Sequence, residues 1–397
     1  MTSTATPSAV RTAWLDPADA RVEDLHAHTG RGTDPAAHPR AGGIDRGVPV
    51  YRAADLVAEA ATPQGRRAVQ AELVHTLLDG PGIAVFTGAF GAAELDPATA
   101  EFEAIIAEQR AAGASTGDHF AKPGANDRIW NAVEKLALRA PEVFAAYYAN
   151  PLTALVCEAW LGPGYQVTSQ VNVVNPGGAA QNPHRDYHLG FMDAGGAARY
   201  PAHVHRLSPA LTLQGAVAHG DMPLESGPTM YLPGSQTFPH GYLVADRSEF
   251  RAYFAEHHVQ LPLAAGDAVF FNPALLHGAG HNRSTGNRRM ANLLQVSSPF
   301  GRAMESADRT AMARAVFPAL RAMHASGVDD DLVANAVAAA AEGYAFPTDL
   351  DADPPVDGLA PPSPAAVLLR AVREGWDPGE LETVLAGQSA RRRGVVA

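Results

Sequence analysis

The chain has 397 residues, a formal net charge of -12 and 46% apolar residues, the profile of an ordinary globular protein long enough for a large core. The acidic balance disfavours nucleic acid, whose phosphates need a basic surface, and no apolar run approaches the roughly 20 residues of a membrane span. The single cysteine, Cys157, cannot close an internal disulfide; with no apolar leader in MTSTATPSAVRTAWLDPADAR, this predicts a cytoplasmic protein.

Residues 1 to about 48 are rich in Ala, Pro, Asp, Gly and Arg without a sustained period, and are expected to be extended or disordered. His26, His28 and His38 lie there, with nothing in the sequence to fix them around an ion. From Pro63 to Leu78 the pattern is helical, with Val69, Leu73, Leu77 and Leu78 on one stripe. Gly80-Pro81-Gly82 breaks it, and Ile83-Ala84-Val85-Phe86 reads as a short buried strand. Asp96-Pro97 has the form of a helix start, followed by Phe102, Ile105 and Ile106 on the apolar face. Further helix is expected over 129–138 and 141–161, where Cys157, in LTALVCEAW, falls on a buried face.

From Tyr165 the character changes. QVTSQVNVV, ALTLQGAVA, TMYLP, AVFF and NLLQVSS alternate with Gly/Pro/Asn turns, the spacing of a β-sandwich or barrel. On QVTSQVNVVN, Ser169, Val171, Val173 and Asn175 share one face and are taken as inward; Gln170 and Asn172 share the other. Helices return after Arg302, ending near 365–374, and Arg391-Arg392-Arg393 reads as a solvated tail. The expected fold class is α+β, divided into an N-terminal segment 1–48, a domain 49–302 (helical to 164, then a β core) and a helical extension 303–397.

Three signals carry chemistry. In His184-Arg185-Asp186 the strand period of two puts His184 and Asp186 on one face, so that an imidazole and a carboxylate can reach one ion. Far downstream, GDAVFFNPALLHGAG delivers His277 at the end of a short strand among small residues. Two histidines and one carboxylate form a facial set that leaves coordination positions open, whereas a closed structural zinc site takes four protein ligands. The rival His281 lies in a Gly/Asn/Arg loop and ranks behind His277. The third signal is Arg288-Arg289, eleven and twelve residues after His277. Alternation lets only one of them face the site, where its fork would suit a dicarboxylate. His188 shares the parity of His184 and Asp186 and suits orientation or substrate contact; His205 and His219 read as structural, and Glu225 as serving the Ser226-Gly227-Pro228 turn.

These stretches, with LGPGYQVTSQVNVVNPGG, HRDYHLGF, ESGPTMYLPGSQ and GDAVFFNPALLHGAGHNRSTGNRR in this order, resemble the phytanoyl-CoA dioxygenase family over about 162–296, together with the segment near 66–110. The resemblance implies a double-stranded β-helix (jelly-roll) core. It also implies an Fe(II)-dependent dioxygenase that takes 2-oxoglutarate and O2 as cosubstrates, forms succinate and CO2, and hydroxylates a small organic molecule. It assigns His184, Asp186 and His277 to the metal, Arg288 to the distal carboxylate of 2-oxoglutarate, and Asn175 and Gln214 to further cosubstrate contacts. Lys122 is a candidate for another such contact, though a solvated loop lysine is the simpler reading. Asp186 occupies the position that related halogenases leave free for chloride, which points to hydroxylation or desaturation. Three positions depart from the family pattern: Ala279 replaces a serine found in some relatives, Gln214 stands where an aromatic can occur, and PGSQ replaces the commoner PGSH, so Gln236 is not expected to be a ligand. No Lys/Arg cluster suited to CoA phosphates is apparent. The competing readings are a cupin-like metal enzyme without redox chemistry and a small-molecule binding protein.

Overall fold

The computed structural model describes residues 13–113 and 124–394. The described residues form two compact units, one from 13–89, 124–128 and 172–293, the other from 90–113, 129–171 and 294–394.

The strands are β1 (Gly43–Asp45), β2 (Val48–Arg52), β3 (Ile83–Thr87), β4 (Asn126–Ile129), β5 (Gln166–Val174), β6 (Thr212–Ala218), β7 (Met230–Tyr231), β8 (Val259–Gln260), β9 (Ala268–Phe271), β10 (His277–Gly278) and β11 (Arg289–Ser297). Eight of them form one sheet in the order β1-β2-β3-β9-β6-β11-β5-β4, and β10-β7-β8 form a second. Pairing is antiparallel at β3–β9, β6–β9, β7–β10 and β7–β8, and parallel at β2–β3. Ile83 and Val85 of β3 and Val269 and Phe271 of β9 pack with Tyr231 of β7, Leu261 and Leu275. An apolar layer therefore joins side chains of both sheets, as in a jelly roll. The fold is α+β with a jelly-roll core flanked by helices.

Local chemistry explains most element boundaries. The helix Pro63–Leu78 starts where Thr62 accepts the Gly65 N–H, with Pro63 in the first turn; Val69, Leu73 and Leu77 are buried, while Leu78 is exposed. The strand expected at 83–86 is present as β3. The helix expected to open at Asp96-Pro97 begins earlier and spans Ala92–Ala111, with Pro97 inside it. A proline there removes one N–H donor, and burial of Leu95 and Ala98 on either side holds the helix through it. The helix expected over 141–161 is two, Pro141–Tyr148 and Pro151–Leu161, separated because Pro151 disfavours helical backbone at Asn150, whose side chain instead caps the second helix. Cys157 is fully buried on that helix.

Two expectations at the chain ends are corrected. The segment read as extended or disordered contains the helix Val22–Thr29, and its first twelve residues lie outside the described residues. Leu25 of this helix is fully buried in a cluster with Leu232, Phe238, Phe250, Phe254 and Leu276. A single anchoring leucine gives no periodic signal. Arg391 and Arg392 belong to the last turn of an unexpected helix, Pro378–Arg392, capped by Asp377, and Arg391 Nε donates to Asp353 at 2.8 Å. No helix of the described residues is long and apolar enough to cross a membrane.

Candidate metal centre

His184 and His277 are joined by their own backbones. The His184 N–H donates to the His277 carbonyl at 2.9 Å, and the His277 N–H returns the bond at 3.1 Å. This reciprocal pair places the two imidazoles side by side, with ring centroids 4.5 Å apart. Two residues on, the Asp186 N–H donates to the Pro273 carbonyl at 3.1 Å, which fixes its carboxylate on the same side. The Asp186 oxygens lie 3.8 Å from His184 Nε2 and 3.4 Å from His277 Nε2. One donor atom from each of the three residues falls within 4.8 Å of the others, the only such group of three or more metal-ligating side chains among the described residues.

The tautomers follow from the geometry. His184 Nδ1 lies 2.9 Å from the Asn182 carbonyl, and His277 Nδ1 lies 2.9 Å from that of Leu275. A carbonyl only accepts, so each Nδ1 carries the proton and each Nε2 presents its lone pair toward the group. Burial and the neighbouring His277 lower the His184 pKa, which favours this neutral form. Burial pushes the Asp186 carboxyl up, but positive charge held at His277 and His184, with a hydrogen bond from Gln214, outweighs it and holds the group well below the usual carboxylate range; a divalent metal would supply that positive charge in place of the Nε2 protons, with both imidazoles neutral. The donor set is two neutral imidazoles and one carboxylate, which suits a divalent first-row metal on three adjacent positions.

Gln214 reaches this centre from β6, where it is paired with Phe271 of β9. Its Nε2 donates to Asp186 Oδ2 at 2.5 Å, while its buried Oε1 has no partner. Phe271 and Tyr231 wall His277, with ring centroids at 4.8 and 6.5 Å, and Tyr231 is the register partner of His277.

The two arginines sit in different settings. Arg288 is exposed, whereas Arg289 is buried, donates to the Ser226 carbonyl at 3.3 Å and interacts electrostatically with Tyr231. Burial lowers its guanidinium to about 10. The loop consumes more residues than a plain strand count allows. Asn282 accepts from both Ser284 N–H and Oγ and donates to the Asn287 carbonyl, so strand geometry begins at Arg289.

The Asn175 side chain donates to the Gly124 carbonyl at 3.2 Å and to Asp127 at 3.3 Å, past the end of β5. On β5 Ser169, Val171 and Val173 are fully buried, as is Gln170 of the other face, whereas Asn172 is half-buried. Ser169 bonds Tyr148 of the helix Pro141–Tyr148, while Gln170 Nε2 donates to Gln295 at 3.3 Å, so the second face carries the polar contacts within the sheet. His188 pairs with Ser208 at 3.4 Å, at a bend where Tyr187 and His188 both have positive φ. His205 bonds the Ala197 carbonyl, and His219 is buried; neither belongs to the metal-ligating group, and neither does His281. Lys122 lies outside the described residues.

The family model for phytanoyl-CoA dioxygenase (PhyH) matches residues 78–290, more than half of the chain. The chain belongs to the phytanoyl-CoA dioxygenase family. It is thereby an enzyme of the iron- and 2-oxoglutarate-dependent oxygenase type, and the donor set above fits the metal the family uses. No curated protein matches the sequence significantly. Among solved structures, similarity extends to SnoN, described as a non-heme alpha-ketoglutarate-dependent epimerase from nogalamycin biosynthesis: 20% identity, 59% of this chain and 84% of that chain, TM-score 0.42. AviO1 from Streptomyces viridochromogenes Tue57 is similar at 21% identity, over 59% of this chain and 97% of its own, TM-score 0.43. SnoK, described as a carbocyclase from the same nogalamycin biosynthesis, is similar at 18% identity, over 57% and 83%, TM-score 0.42.

Proposed function

We propose that this phytanoyl-CoA dioxygenase family member hydroxylates a small organic molecule, with His184, Asp186 and His277 holding Fe(II) and Arg289 in place of Arg288 receiving the distal carboxylate of 2-oxoglutarate. The observation that carries the reading is the pair of Nδ1–carbonyl bonds, which turn both Nε2 lone pairs toward the Asp186 carboxylate. Iron with 2-oxoglutarate and O2 supplies the oxidising power, at the expense of decarboxylating the keto acid to succinate and CO2.

The chain's own groups divide the remaining work. Asp186 supplies negative charge that offsets the divalent ion and, by occupying a position, leaves none for a halide. Gln214 fixes the plane of that carboxylate and keeps a free acceptor, Oε1, for an N–H or O–H donor entering the site. Arg289 offers a buried cation that the remote carboxylate of a dicarboxylate would neutralise, and its low-dielectric setting strengthens the pairing. Tyr231 and Phe271 keep water from the His277 side. The acidic charge balance and the buried single cysteine support a cytoplasmic setting.

The test is turnover under 18O2 with a panel of small molecules, selecting those that stimulate succinate formation. Hydroxylation places one labelled oxygen in succinate and one in the product. Stimulated succinate formation with an unlabelled, mass-unchanged or dehydrogenated product would contradict the hydroxylase reading.

A further inference from the structure

The turn after β7 contains Ser235, which is fully buried. Its hydroxyl accepts the Leu276 N–H at 2.8 Å, and its carbonyl accepts Arg185 Nη2 at 2.5 Å. Leu276 precedes His277, and Arg185 lies between His184 and Asp186. One residue is therefore bonded to both segments that carry the metal-ligating side chains. The two bonds reach those segments from behind, because neighbouring residues of an extended chain point to opposite sides.

The surroundings are built around these bonds. Arg185 also donates to the Phe238 carbonyl at 2.8 Å and lies over the Tyr242 ring at 5.0 Å. A side chain on Gly241 would overlap the guanidinium, so a glycine is required there. Gly234 has φ +83°, and a Cβ would come within 3.0 Å of the His28 carbonyl, so the turn seats against the helix Val22–Thr29. His28 Nδ1 and Thr237 Oγ1 lie 2.7 Å apart and close that contact. A buried guanidinium held by neutral carbonyls is a costly way to fill space, and packing alone does not need it. It is suited to fixing the path of the chain on either side.

We propose that Ser235 is a positioning residue for the metal centre: through Arg185 and the Leu276 N–H it sets the separation between the His184/Asp186 segment and His277. The proposal rests on the metal-centre reading given above. Groups that orient ligands without touching the metal contribute substantially to affinity.

The experiment uses the full chain, anaerobically, with Fe(II) alone and then Fe(II) with 2-oxoglutarate. Fe(II) affinity and the visible charge-transfer band are compared for wild type, Ser235→Ala, Ser235→Thr and Arg185→Lys, alongside thermal unfolding of the metal-free proteins. Ser235→Ala is expected to weaken Fe(II) binding about tenfold and to alter the band while the metal-free protein still unfolds cooperatively. Ser235→Thr keeps the hydroxyl and is expected to restore most of the affinity, while Arg185→Lys, with a single-point donor, loses affinity as the alanine variant does. Equal Fe(II) affinity in wild type, Ser235→Ala and Arg185→Lys overturns the positioning role and leaves the metal centre standing. Failure of wild type to bind Fe(II) overturns the metal centre itself. Hydrogen exchange at the Leu276 amide of the metal-free wild type needs no variant: protection is expected, and exchange at the rate of an exposed loop overturns the proposal.

Discussion

Gln214 Nε2 donates to Asp186 Oδ2 at 2.5 Å, and that same carboxylate oxygen lies 3.4 Å from His277 Nε2. The amide thus fixes the rotation of a carboxylate already shared by two histidines. Gln214→Leu removes the donor at similar volume and is expected to weaken Fe(II) binding about tenfold. Anaerobic titration calorimetry measures it, and an unchanged dissociation constant would show that the amide does not orient the ligand.

Arg289 and Arg288 should separate cleanly in 2-oxoglutarate dependence. Arg289→Ala deletes the buried cation and is expected to raise the 2-oxoglutarate KM by about 10- to 100-fold, the span of losing charge-assisted hydrogen bonds worth about 1.5–3 kcal/mol. Arg288→Ala, at an exposed position, is expected to change it by less than about twofold. Initial rates of succinate formation against 2-oxoglutarate decide between them, and the reverse ranking would restore the assignment made from chain spacing.

His219 should make the fold acid-sensitive. Burial lowers its pKa from 6.5 to about 3. Between those values the unfolded chain binds a proton that the folded protein excludes, so this contribution is fully present above pH 6.5 and is lost as the pH falls toward 3. Going from about pH 8 to about pH 5, His219→Gln is expected to lose about 2 kcal/mol less stability than wild type. Urea unfolding at both pH values measures this, and parallel losses in the two proteins would rule the contribution out.

Leu25 anchors the helix Val22–Thr29 in a cluster that includes Phe238, Phe254 and Leu276. Leu25→Ala is expected to cost about 3 kcal/mol, the usual penalty for a cavity at a fully buried leucine. Equilibrium unfolding in urea tests it; a loss below about 0.5 kcal/mol would mean that the helix is not part of the cooperative core.

The His184, Asp186 and His277 grouping was legible in the sequence because a strand period of two and one distant histidine suffice to describe it. Which of Arg288 and Arg289 is buried was not, because parity along β11 depends on how many residues the preceding loop uses, and Asn282 sets that number through side-chain bonds to Ser284 and Asn287. Alternation does not place Asn175 either, because β5 ends at Val174. A β-sandwich or barrel was legible from short apolar segments between turns, and the jelly-roll class came from the family resemblance. The N-terminal helix was not, since its one buried leucine finds its partners more than two hundred residues away. Ser235 gave no signal because its role depends on two bonds to segments distant in sequence.

The most direct test of the central claim is anaerobic addition of Fe(II) and then 2-oxoglutarate to wild type and to Asp186→Ala, followed by visible absorption. A weak charge-transfer band should appear in wild type only when both are present, and should be lost or strongly diminished in Asp186→Ala. A wild-type spectrum that 2-oxoglutarate leaves unchanged, or a band of equal strength in the variant, would contradict a keto-acid-binding iron centre at His184, Asp186 and His277.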